Sequence, residues 1–138
     1  MDALLTREMF KSQVLAASAG RCVLCARPAV DAHHILERKL FMDGGYRLSN
    51  GAAVCSECHW RCETTEISVE AVLVACGRQT PLLPEGFDPT RHYDKWGNEI
   101  LPNGRRRPGP LFNDPGARKA LQKGRMWWRF QEARHGVL

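Results

Sequence analysis

The chain has 138 residues, 43% hydrophobic and 25% charged, which bounds it to one compact domain with a peripheral extension. No run approaches the roughly 18 apolar residues of a membrane span. Residues 1–20 include Asp2, Arg7, Glu8 and Lys11, so no signal-peptide core is expected there and the expected setting is cytoplasmic. In that setting the six cysteines read as metal ligands or free thiols rather than as a disulfide framework.

The formal net charge of +5 is unevenly spread. Residues 1–90 carry nine Lys/Arg against eleven Asp/Glu, and residues 91–138 carry eleven against four. A basic second half beside a near-neutral first half points to a polyanion partner, with nucleic acid first. A solubilising surface is the plainer alternative.

From the N-terminus, Met9, Phe10, Gln13, Val14 and Ala17 fall near one face of a helix over Thr6 to Ala19, with Thr6 as its cap and Gly20 as its stop. That helix reads as packing and leads to Cys22. Cys22-Val-Leu-Cys25 is a knuckle that aims two thiolates at one ion, and Cys55-Ser-Glu-Cys58 is its partner. Two such pairs suit a tetrahedral four-cysteine zinc site. Cys62 and Cys76 fall outside the spacing and read as packed thiols. Val30 to Leu36 is a short strand that carries His33 and His34. Asp43 to Tyr46 and Asn50-Gly51 are turns, Ala52 to Val54 returns as a partner strand, and a helix starts near Ser56 and runs to about Glu63.

Knuckle, His33-His34-Ile35, Ser49-Asn50, knuckle and His59 occur in an order that resembles the HNH endonucleases, the ββα-metal nucleases in their four-cysteine zinc form. The resemblance covers residues 21–66. It implies phosphodiester hydrolysis in DNA, with His34 as general base. It also implies that His33 and His59 ligate a catalytic divalent ion, Mg or Mn foremost and Zn or Ni as alternatives. Asn50 would brace the loop and orient His34. A neutral imidazole suits the base, and a metal supplies the positive charge that the phosphoryl and leaving oxygens require. On a strand, neighbouring side chains point opposite ways, so His33 and His34 are expected to work from opposite sides of the phosphorus. The chain departs from the family pattern at Leu36-Glu37, where proline is common. It departs again at Gly51, where an apolar residue is common. Glu63 stands where the family often has His or Asn, and it reads as a solvated face rather than as an acidic ligand.

Beyond the motif, Ser68 caps a helix from Val69 to Cys76 that Gly77 closes. Pro81 to Pro84 and Asp88-Pro89 mark an irregular connector. Tyr93 to Ile100 forms a hairpin around Gly97-Asn98. Arg105, Arg106 and Arg107 follow a turn and are expected to be exposed and to contact phosphate. Asp114 caps a helix from Pro115 to Lys123. Trp127, Trp128 and Phe130 are expected in the core, with stacking on unpaired bases as the other reading. His92 and His135 have no partner spacing and are given no role.

The expected fold is α+β. It has an N-terminal helix (1–20), a zinc-stapled ββα-metal core (21–66) and a basic, mixed helical and hairpin extension (67–138). The expected function is a metal-dependent endonuclease. A non-catalytic zinc module that binds nucleic acid is the alternative, and a protein-docking zinc domain is a third reading.

Overall fold

A computed structural model describes residues 2–130; Met1 and residues 131–138, His135 among them, lie outside the described residues. The described residues form a small mixed α/β fold with two antiparallel sheets among them. No helix among the described residues is long and apolar enough to cross a membrane.

Helix α1 spans Arg7–Ala17, and the Thr6 hydroxyl accepts from the Met9 amide at 3.1 Å, as its position predicts. Gly20 follows at φ 75°, a left-handed exit that glycine makes without strain. Strand β1 (Asp31–His34) pairs antiparallel with β2 (Gly51–Val54), so His33 lies opposite Ala52 and His34 opposite Gly51. Phe10 and Val14 of α1 bury against this ribbon together with Ala53. Gly51 has a steric cause: a Cβ there would drive into the Val14 side chain and press on the Phe10 ring. Gly51 thus leaves α1 room to pack on the ribbon.

Helix α2 (Ser56–Glu63) starts inside the second knuckle, with Cys55 as its cap. Helix α3 (Val69–Ala75) is capped by the Ser68 hydroxyl. Val69, Val72 and Leu73 pack with Ile35, Leu36, Ala52 and Cys62 in one apolar cluster. Cys62 is 1% exposed there, and burial pushes its thiol up to about 12, so it is a packing thiol. Cys76 packs at the edge of the same cluster.

The extension builds a second sheet. Strands β3 (His92–Tyr93), β4 (Glu99–Ile100) and β5 (Arg106–Arg107) pair in that order, with the turn at Asp94 to Asn98 where the Gly97-Asn98 signal stands. Helix α4 (Pro115–Lys123) is capped by Asp114 and buries Ala117, Ala120 and Leu121 with Trp96 and Phe130. Trp127 packs against this cluster, as expected for the core, whereas Trp128 stays 46% exposed with the Arg129 guanidinium over its ring.

The arginine triplet departs from expectation. Arg106 is 5% exposed, donating to Asp94 at 2.9 Å and to Thr65 at 2.7 Å. Strand alternation sends it inward while Arg107 points out and pairs with Glu99. Arg106 is thus a structural cation, not a phosphate contact. Arg106→Ala is expected to lower unfolding free energy by about 3–5 kcal/mol, because Asp94 is left buried without its partner charge. Arg107→Ala should stay within about 0.5 kcal/mol of the parent. Urea denaturation of the two variants, followed by circular dichroism, checks the contrast.

Candidate functional site

The four cysteine sulfurs of Cys22, Cys25, Cys55 and Cys58 lie within 4.8 Å of one another, and Cys25 Sγ is 3.6 Å from Cys55 Sγ. Tetrahedral zinc with Zn–S near 2.3 Å places its sulfurs about 3.8 Å apart, so the cluster can hold such an ion. The first knuckle closes through Cys22 N–H to Arg27 O and Ala26 N–H to Cys22 O, with Ala26 at φ 65°. Val23 N–H donates to Ala53 O, which ties that knuckle to β2. In the second, the Cys58 amide donates to Cys55 Sγ at 3.4 Å. Burial opposes ionisation of Cys22, yet the amides of Cys55, Leu24 and Cys25 bring its thiol down to about 7. Burial and the neighbouring sulfurs push Cys58 up. A divalent cation favours the thiolate at every ligand, so binding it releases protons.

A second group of donors gathers beside it. Ligand atoms of His33, His59 and Glu63 lie within 4.8 Å of one another. His33 is 2% exposed, and its Nδ1 has no hydrogen-bond partner and sits 3.8 Å from Glu63 Oε2. Desolvation, helped by Lys95, holds the His33 ring well below its ordinary pKa and therefore neutral. A buried nitrogen with no partner costs free energy that a ligand would recover. His59 Nδ1 lies 3.2 Å from Asp31 Oδ2. A carboxylate only accepts, so Nδ1 is the donor, which in the neutral ring leaves Nε2 as the nitrogen able to ligate. That Nε2 lies 4.0 Å from Glu63 Oε1.

Glu63 is therefore not the solvated face expected from the sequence. It stands one helical turn after His59 on α2, so both project to the same side and meet His33 from β1. Lys95, 5% exposed, reaches in from the β3–β4 turn and pairs with Glu37 Oε1 at 2.9 Å and Glu63 Oε2 at 2.5 Å.

His34 turns to the other side of β1, toward α1. Its ring stacks on Phe10 at 4.5 Å and meets Tyr46 edge-on at 4.9 Å. Desolvation, with Lys95 next, lowers its pKa to about 4, so the ring is neutral at physiological pH. Asn50, 1% exposed, does not hydrogen-bond the His34 ring. Its Oδ1 accepts from the Leu36 amide at 3.0 Å, while Nδ2 donates to Leu36 O at 3.0 Å and Gly45 O at 3.3 Å. It thus braces the loop two residues beyond His34. The Arg78 guanidinium clamps the same turn by donating to the carbonyls of Leu48, Ser49 and Gly51.

A cleft of about 830 Å³ runs over these groups, lined among others by Arg7, Lys11, His34, Arg38, His59, Glu63 and Lys95. His34 and His59 both line it, and its four cations (Arg7, Lys11, Arg38 and Lys95) are matched by four carboxylates (Glu8, Asp31, Glu37 and Glu63). Arg105 and Arg107 do not line it. His92 lies apart, 3.4 Å from Glu70 at the surface.

No protein-family model, no curated protein and no solved structure matches this chain.

Three residues of the site escape the sequence pattern, and Lys95 and Arg78 offer no local signal, because their partners lie 32 or 58 and 27 to 30 residues away. Asp31 had a weak signal: a carboxylate two residues before the His pair on the same strand.

The four-sulfur cluster predicts one tightly held zinc per chain. Structural zinc contributes about 10–16 kcal/mol of apparent binding free energy in small folds. Cys58→Ser, or exhaustive chelation, is therefore expected to lose the metal and most of the helical signal together. Elemental analysis alongside far-ultraviolet circular dichroism reads both.

Proposed function

We propose that the protein is a metal-dependent endonuclease of the HNH kind, cleaving phosphodiester bonds in DNA. The observation that carries this reading is the meeting of ligand atoms of His33, His59 and Glu63, two of which line the same cleft as neutral His34. The order of elements fits it: strand β1 with both histidines, strand β2 after the asparagine, then α2 with His59. The donor set of two imidazoles and a carboxylate suits a divalent ion, and the partnerless His33 Nδ1 is consistent with a ligand position. When bound there, Mg or Mn would supply positive charge to the phosphoryl and leaving oxygens.

The chain's own groups divide the remaining work. Arg7, Lys11 and Arg38 draw the phosphate backbone into the cleft by charge alone, so they position without reading sequence. His34 takes a proton from the attacking water. Phe10 and Tyr46 hold its ring in one orientation, and burial keeps it unprotonated. Asp31 fixes the tautomer of His59, and Lys95 holds the Glu63 carboxylate in place. Asn50 and Arg78 hold the β2 turn, so His34 cannot drift from the phosphate.

His34→Ala is expected to reduce plasmid nicking by at least about 10²-fold, the usual weight of a general base, while zinc content and fold persist. Nicking at the parental rate would remove His34 from that role. Glu63→Gln should weaken Mn binding, measured by calorimetry on zinc-loaded protein, because it removes the one formal negative charge in the ligand set. A zinc module without catalysis would instead bind plasmid and leave it intact under Mg, Mn and Ni alike.

A further inference from the structure

A second groove, of about 500 Å³, opens from the first at Asp31, His59 and Glu63, which line both. Its far walls are Trp60 of α2 and Lys119 and Lys123 of α4. Trp60 directly follows His59, yet it is 48% exposed rather than packed. The Lys123 ammonium sits 5.9 Å from the centre of its ring. Lys119 and Lys123 are one helical turn apart, both exposed on the face opposite the buried Ala117, Ala120 and Leu121. No carboxylate lines the groove except Asp31 and Glu63, at the end where it joins the cleft.

We propose that this groove is a subsite for an unpaired DNA strand, with one base stacked on Trp60 and the adjoining phosphates held by Lys119 and Lys123. The assignment rests on the nuclease reading for the phosphate at the His59 end and extends it to the class of substrate. An indole in a groove offers a flat apolar face, here with one lysine near its ring and a second in the same groove. A nucleotide of an open strand presents the complement, a flat base followed by charged phosphates. A duplex keeps its bases stacked on one another and offers no free base face, so it gains only the phosphate contacts. The strand therefore runs from the Arg7–Lys11 rim, past His34 and His59, and onto α2 and α4. The chain is accordingly a nuclease for single strands, flaps or frayed ends rather than for continuous duplex.

The test is binding, read without cleavage. Zinc-loaded protein with no added divalent metal is titrated into a short fluorescein-labelled oligodeoxythymidine, and into a labelled hairpin duplex, by fluorescence anisotropy. Trp60→Ala is expected to weaken single-strand binding by about tenfold, the weight of one stacked base, and to leave duplex binding unchanged. Trp60→Phe should keep most of the affinity. Lys119→Ala with Lys123→Ala should weaken binding and flatten its salt dependence. Unchanged single-strand affinity in Trp60→Ala overturns the subsite, and so does an equal loss on strand and duplex. If the parent binds the strand through Trp60 but nicks nothing under any divalent metal, the nuclease reading fails and the subsite stands.

Discussion

The arrangement depends on four sulfurs being held within 4.8 Å of one another. Cys22 and Cys25 precede β1, while Cys55 and Cys58 end β2 and begin α2. Joining the pairs fixes the strand ribbon and the helix start in one frame, over a loop that is otherwise a pair of four-residue strands. A two-stranded ribbon of that length is marginal in water by itself. A metal ion held by the four thiolates would stabilise it at small cost in chain length, and Phe10 and Val14 of α1 cover its other side.

That frame gives the two adjacent histidines different surroundings. Alternation along β1 turns His33 toward α2, where it meets His59 and Glu63, and turns His34 toward α1, where it lies between Phe10 and Tyr46. Both are neutral because both are desolvated. In the proposed reading one would give a lone pair to a cation and the other would accept a proton, and a single peptide step separates the two environments.

The C-terminal extension is not an appendage to this site. Lys95 brings one positive charge between Glu37 and Glu63, so the three together carry one net negative charge beside two neutral imidazoles. In the proposed reading such a balance would admit a cation without strongly repelling a phosphate. The Trp96 indole donates to Glu63 O, and Arg106 reaches Thr65, so the second sheet grips the end of α2 from below. The basic character of residues 91–138 is therefore partly spent inside, at Lys95 and Arg106, and partly displayed on α4 at Lys119 and Lys123.

The sequence by itself determined what is local. Thr6, Ser68 and Asp114 announce their helices because a side-chain oxygen three residues before an unpaired amide caps it wherever the chain goes. The two CxxC pairs announce a metal site because two residues is the spacing of a turn that aims both sulfurs one way. Only the tertiary structure decided what depends on partners far along the chain. Glu63 is a half-buried member of the donor cluster and not a fully wet face because His33 arrives from β1. Arg106 is a core cation and not a phosphate contact because Asp94 waits under β5. Trp60 is left bare beside two lysines because α4 packs through its alanines and turns its charges to the groove. In each case the residue type was legible, but its surroundings were set by long-range packing, which leaves no periodic mark on the chain.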